Sequence, residues 1–458
     1  MSPPPDRPVN IVGAGLAGAL LAVLLARRGF AVDVYDRRPD PRAAQSERGR
    51  SINLALAARG ITALERAGVM EHIRPLLIPM RGRMIHSLSG ETQLQPYGQR
   101  QEEVIYSVSR GELNRVLIEE AARHPRVHLR FRQTCLEALP AIGALRFRDE
   151  VTGSERNVPL APTFATDGAG SAVRSSLARS GLISVREDWL DHDYKELTLP
   201  AVGDGRHAME PHALHIWPRG GFMLIALPNT DGSFTATLFL ARSGVDSFDS
   251  LTGPEHVKSL FEGQFADAAQ LMPDLIGEFT THPQGQLGTV YTKPWHVSDQ
   301  VLLLGDAAHA IVPFHGQGMN AAFEDCVVLD SLLDRHDRWE ALFADFESSR
   351  LPNTAAIAQM ALENYIEMRD TVRDPGYLRR KALAMEIERR FPDSFIPRYS
   401  MVMFHPEVSY AEALRRGLVQ EGILAELDDR RAGEDVDFDL ARALIAERLP
   451  DFIADRLS

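Results

Sequence analysis

The most apolar stretch of the chain, Ile11 to Ala26, is interrupted by Gly13, Gly15 and Gly18. That interruption predicts a short buried strand over Val9 to Val12, a glycine turn, and a helix to about Arg28 that Gly29 ends as a C-cap. Ala31 to Tyr35 alternates and predicts a second strand ending at Asp36, which completes a βαβ unit. The stretch mimics a signal peptide, but its glycines, the lack of a cleavage site and its length, under the ~18 apolar residues of a spanning helix, argue for strand-turn-helix instead.

Further along, Leu54 to Ala67 has helical spacing, and Gly111 to Arg123 predicts another helix. Strand patterns fall at Arg83 to Leu88, Ile105 to Val108, Phe131 to Leu139, Leu145 to Phe147 and Thr163 to Thr166. Met1 to Pro8 reads as a Pro-rich leader and Asp40 to Arg50 as a polar loop. From about Val185 to Gly288 the texture changes. His212 to Trp217, Phe222 to Leu227 and Phe234 to Leu240 have strand character with turn residues between, which predicts a mainly antiparallel sheet. Val301 to Leu304 is a fully apolar strand, Gly318 to Leu333 a helix, and beyond Arg335 the pattern is almost wholly helical.

With 458 residues, two or three domains are expected at ~100–200 residues each. The formal net charge of −13 makes general nucleic-acid binding a poor prospect, because phosphate neutralisation needs a basic surface. Two cysteines, Cys135 and Cys326, build neither a disulfide framework nor a Cys-rich metal site, and this fits a reducing, cytoplasmic setting. No segment is long enough to span a bilayer, so no membrane anchor is expected, and no metal site is expected either.

The candidate chemistry begins with Gly13-x-Gly15-x-x-Gly18, which follows a strand and opens a helix. Gly13 permits the tight turn, Gly15 lets backbone approach a pyrophosphate, and Gly18 lets helix and strand pack closely. The helix N-terminus offers N–H donors to phosphate, and Asp36 is placed to accept from a ribose hydroxyl. This motif alone does not separate FAD from NAD. Asp167-Gly168-Ala169-Gly170 follows a short strand and reads equally as a helix cap or as a second approach to a nucleotide. Gly305-Asp306-Ala307-Ala308-His309 ends the apolar strand, and the chain runs on through Pro313-Phe314-His315-Gly316-Gln317-Gly318-Met319-Asn320. A strand-end carboxylate suits a sugar or ribityl hydroxyl, and the following helix start suits negative charge at the N1–C2=O edge of a reduced flavin.

These three segments, in this order, resemble the class A FAD-dependent aromatic hydroxylases. A closer resemblance, to the kynurenine 3-monooxygenases, lies in Ser51 to Leu56, Arg83 to Gly90, Pro96 to Gly98, Tyr106 to Arg110, His309 to Asn320, Glu363 to Arg369 and Ile396 to Val402. The resemblance implies an α/β fold: a doubly wound, Rossmann-like FAD-binding domain (1–75, 105–184 and 289–350), a β-sheet substrate domain (76–104 and 185–288) and a helical C-terminal region (351–458). It implies FAD as cofactor, NADPH and O2 as co-substrates, and hydroxylation of L-kynurenine through a flavin C4a-hydroperoxide, with no side-chain nucleophile. Arg83 and Tyr97 match the residues that hold the substrate carboxylate, and Asn364 and Tyr399 those that complete the amino-acid contacts. Pro313 and Phe314 would lie by the substrate ring, and His315 would shape the pocket. Gly13, Gly15, Gly18, Asp36, Arg110, Asp306, Gly318, Met319 and Asn320 match the flavin contacts. A related phenolic hydroxylase and a non-catalytic flavoprotein scaffold are the alternatives.

Overall fold

In the computed structural model, residues 8–43, 53–370, 374–430 and 436–449 are described. The Met1 to Pro8 leader, except its last residue, and most of the Asp40 to Arg50 loop lie outside them. The first layer is a six-stranded sheet in the order His296–Val297, Val301–Leu303, Thr163–Ala165, Val9–Val12, Val32–Tyr35, Val127–Arg130. Its pairings are parallel except at the His296–Val297 edge. Helices α1 (Leu16–Arg27), α2 (Arg110–Ala122) and α3 (Gly318–Leu332) join this layer. The central strands are buried on both faces, which is why Val9–Val12 and Val301–Leu303 carry almost no polar residues. Leu20, Leu21, Phe164, Leu302 and Phe323 sit in one continuous core.

The second layer is a seven-stranded sheet: Gln284–Lys293, Ser184–Leu199, Phe234–Ala241, Met223–Pro228, Leu214–Pro218, Gly82–His86, Thr92–Pro96. All its pairings are antiparallel except Gly82–His86 beside Leu214–Pro218. One face packs on the helices Pro254–Gln264 and Leu275–Thr281 through Trp217, Phe234, Phe261 and Phe265. The other face presents Ile85, Ile216, Met223 and Phe239 toward Phe314 and Tyr365. The cavity described below borders this second face.

The third part is helical: α4 (Trp339–Arg369), α5 (Pro375–Arg390), α6 (Arg398–Phe404), α7 (Tyr410–Asp429) and a last helix at Phe438–Arg448. The helical reading of Leu54 to Ala67 is corrected in part: Asn53–Leu56 is a strand paired with Ile105–Ser109, and the helix begins at Ala58. Among the described residues no helix is long and apolar enough to cross a membrane.

Candidate active site

The nucleotide half is made of backbone. Gly13 has φ +101°, and a Cβ there would lie 2.5 Å from the Thr166 carbonyl oxygen. A Cβ on Gly18 would lie 1.9 Å from the Gly13 carbonyl oxygen, so nothing larger than glycine fits between strand and helix. Beside Gly15 the space is open. Gly15 caps α1 without a side-chain hydrogen bond, which leaves first-turn N–H groups for an anion. These features fit a dinucleotide phosphate.

Asp36 is buried at the end of its strand, but its carboxylate already has partners. It accepts from the Ala14 N–H at 2.7 Å and from the Arg38 guanidinium at 2.9 and 3.0 Å. Burial opposes its charge, yet Arg38 holds its carboxyl below the usual range. The Arg38 backbone N–H donates as well, at 2.8 Å, so each oxygen already accepts two hydrogen bonds and a ribose hydroxyl has to displace or share an Arg38 donor. Arg110 opens α2 and is exposed, with Tyr194 and Glu196 of the second sheet in its electrostatic reach. Asp167 acts as a helix cap: its carboxylate accepts from the Ser171 hydroxyl and the Ala172 N–H at 2.6 and 2.8 Å. Arg174, on that capped helix, donates to the Ala307 carbonyl at 2.9 Å and so fixes the segment carrying Asp306.

Asp306 is half-buried where the Val301–Leu303 strand gives way to a short helix. His309 turns away from it to Asp325, at 2.7 Å, and no metal-ligand cluster occurs among the described residues. Gly318 and Met319 form the start of α3 and are half-buried. The Asn320 side chain is engaged within the fold: Oδ1 accepts from the Ala57 N–H, and Nδ2 donates to the Ala55 and Gly316 carbonyls, each at 2.9 Å. It thereby locks the start of α3 to the Asn53–Leu56 strand.

The second half is a cavity of about 690 Å3 under α4, α5, α6 and α7. Arg83, Tyr97, Glu367, Tyr377, Lys381 and Tyr399 line it. Arg83 is only 4% exposed. Its Nη1 donates to Glu367 Oε1 at 2.7 Å and its Nη2 to Asn364 Oδ1 at 3.2 Å. The guanidinium carbon lies 5.0 Å from the Tyr399 ring centroid. Burial works against the Arg83 charge, but Tyr399 and Glu367 more than offset it and keep the pKa above its ordinary value. Burial likewise opposes the Glu367 charge, and Arg83, with the Tyr377 hydroxyl donating at 2.7 Å, holds its carboxyl below the usual range.

From the Arg83 end, aromatic rings lead inward. Tyr97 stacks on Tyr399 at 5.7 Å and Tyr399 on His315 at 5.4 Å. Phe314 stacks on Tyr365 at 3.9 Å and meets Phe239 at 4.9 Å. Asn364 ties this wall to the guanidinium, since its Nδ2 donates to the Phe314 carbonyl at 2.7 Å. Pro313, next in the turn, is exposed. The Tyr97 hydroxyl and His315 Nδ1 are buried without a hydrogen-bond partner among the described residues. Burial pushes the Tyr97 phenol well up and His315 down to about 4, so that imidazole is neutral at pH 7.

Arg83, Tyr97, Asn364, Tyr399, Phe314 and His315, read from separate segments, thus fall in one cluster, with the Pro313 to Asn320 turn joining it to the glycine-rich half. Sequence reasoning missed Glu367, Tyr377 and Lys381. Glu367 could have been found, because it follows Asn364 by one helical turn and shares its face. Lys381 lowers the threshold for losing a charge in this cavity: burial, then Arg83, push it down to about 8.

Residues 6–361 match the FAD binding domain family. The chain is 48% identical to a kynurenine 3-monooxygenase of Myxococcus xanthus, with 98% of this chain and 96% of that one aligned. It is 46% identical to the kynurenine 3-monooxygenase of Stenotrophomonas maltophilia, over 97% and 98% of the two chains. Among solved structures it is similar to 2-methyl-3-hydroxypyridine-5-carboxylic acid oxygenase, with TM-score 0.64 and 18% identity over 81% of this chain and 95% of that one. A tetracycline destructase is similar at TM-score 0.61 and 14% identity, over 84% and 97%. At such identities the last two speak for the fold.

Proposed function

We infer, from the premise that this chain belongs to the FAD binding domain family and within it to the kynurenine 3-monooxygenases, that the two halves of the site hold FAD and L-kynurenine. The chain is a FAD-dependent monooxygenase that hydroxylates L-kynurenine at ring position 3, a step of tryptophan degradation. One kynurenine, one O2, one NADPH and one proton give 3-hydroxykynurenine, water and NADP+. Bound FAD supplies the redox chemistry, taking hydride from NADPH and activating O2.

The protein's part is orientation and exclusion of water. Arg83 receives the kynurenine carboxylate on its planar fork, and the buried Tyr97 hydroxyl, for which no acceptor in hydrogen-bonding geometry occurs among the described residues, donates to the same group. Glu367 accepts from the substrate ammonium, so the pair of opposite charges reads a zwitterion. Asn364 and Tyr399 hold the guanidinium in place. Pro313, Phe314 and His315 bound the ring, with His315 as a neutral wall rather than a base. Gly13, Gly15, Gly18, Asp36, Arg110, Asp306, Gly318, Met319 and Asn320 form the FAD cradle. The aniline nitrogen already activates the ring, so no strong base is required. The division into FAD domain, substrate domain and helical C-terminal region stands as part of this reading, and so does a cytoplasmic location.

The single observation that carries the substrate assignment is the pairing of buried Arg83 with half-buried Glu367 at the cavity end. A phenolic hydroxylase has no use for an amino-acid clamp, and a scaffold has none for the cavity. The deciding experiment follows NADPH oxidation by the yellow protein with and without L-kynurenine while 3-hydroxykynurenine is assayed. Stimulation with matching product is expected. Stimulation that yields only peroxide would make kynurenine an effector and overturn the substrate.

A further inference from the structure

Gln317 is the residue just before α3, and it is completely buried. A polar residue at this position commonly folds back over the first N–H groups of its own helix. Here it does not: α3 has no side-chain cap. Its Oε1 instead accepts from the Tyr410 hydroxyl of α7 at 2.7 Å, and its Nε2 reaches, among the described residues, the Met403 sulfur, a weak acceptor, at 3.1 Å. Tyr410 is itself immobilised. The Arg59 guanidinium lies 4.0 Å from its ring centroid, and Arg59 pairs with Glu324 and donates to the Val408 carbonyl. Asn320, the other polar side chain at this helix end, is held by Ala55, Ala57 and Gly316.

We propose that Tyr410 is a positioning residue for the flavin reaction: its hydroxyl holds the Gln317 amide away from the start of α3, so that the Gly318–Asn320 N–H groups stay free for the flavin. The inference rests on the FAD reading of that helix end. Without the hydroxyl, Gln317 loses its strong partner and swings onto those N–H groups, where it competes with the flavin edge. The C-terminal region thereby tunes the cofactor through the Gln317 side chain.

The test uses holoenzyme of the wild type, Tyr410→Phe, Gln317→Met and the double variant. Flavin reduction potential and FAD dissociation are measured without kynurenine, and the peroxide share of NADPH oxidation with it. Tyr410→Phe keeps the ring over Arg59. Its potential is expected to become more negative, with an FAD dissociation constant raised about three- to tenfold, the range one buried neutral hydrogen bond spans. Gln317→Met has no amide to compete, so adding it to Tyr410→Phe should return both quantities toward wild type. Unchanged potential and FAD affinity in Tyr410→Phe, a lower melting temperature alone, or no recovery in the double variant would each overturn the proposal. Because the first two readings need no substrate, a failure of kynurenine turnover in the wild type breaks the substrate assignment and leaves this result interpretable.

Discussion

At Gly18 the chain has removed a side chain; at Arg83 it has buried one of its longest and most highly charged. The glycine half works through what is absent, since backbone can approach backbone within a distance that no Cβ tolerates. The Arg83 half works through side chains contributed by Gly82–His86, α4, α5 and α6, each holding the next. The first is a rigid geometry with few adjustable parts. The second is a network of charges whose members can be removed singly. The two halves should therefore fail differently: the first as a whole, the second by degrees.

Gly18→Val is the severest test. Its side chain meets the Gly13 carbonyl oxygen, and the expected outcome is protein without bound flavin, read from the absorbance of the purified chain. Arg83→Ala comes next. It leaves the half-buried Glu367 without its guanidinium, with the Tyr377 hydroxyl still donating. The kynurenine KM should rise at least a hundredfold while flavin content stays at wild-type level. Flavin loss here would break the separation between the halves. Glu367→Gln keeps the shape and removes the charge, and a KM increase of about tenfold is expected, the weight of one charge-assisted hydrogen bond. A KM unchanged by this variant would leave Arg83 as the sole reader of the amino acid.

The effect spread over the widest pH range, and so the smallest at any one pH near neutrality, is on stability. Burial pushes His315 down to about 4 from the 6.5 of an unfolded histidine. The unfolded chain therefore binds the proton first on acidification. Stability is fully present above pH 6.5 and declines as pH falls to about 4, by about 3 kcal/mol for this residue. His215 behaves likewise on the far face of the second sheet, also near 4. His315→Gln should flatten part of the fall in melting temperature between pH 6.5 and 4, and His215 should account for another part. A slope identical to wild type would mean that His315 takes up its proton equally in the folded and the unfolded chain.

The same contrast governs what could be read in advance. The glycine turn and the parallel strands announce themselves, because burial on both faces leaves only apolar residues and tight turns leave only glycine. Ser184–Leu199, the longest strand, was not marked. Its first half, Ser-Val-Arg-Glu-Asp-Trp-Leu-Asp, is rich in residues disfavoured in strands and mostly exposed, so pairing with Gln284–Lys293 rather than local preference makes it a strand. Leu54 to Leu56 reads as part of a helix in the sequence because a four-residue strand is too short to show a period of two. In the site, Arg83, Tyr97 and Tyr399 stood out only through family resemblance. Burial of a guanidinium is a tertiary fact, and Arg83 looks no different from an exposed arginine until Glu367 and Asn364 arrive from the other end of the chain.

Helix α4 carries both Phe343 and Phe346, seated in the core of the first layer, and Asn364 and Glu367 at the cavity. Thirty-one residues make a rod of about 46 Å, and azimuth along it is set by count alone, about 100° per residue. Pro352 lies between its two working ends. The helix is thus an angular gauge: deleting one residue after Phe346 would leave the phenylalanines docked and rotate the clamp out of phase with the guanidinium, whereas deleting seven would bring it back within about 20° but some 10 Å short.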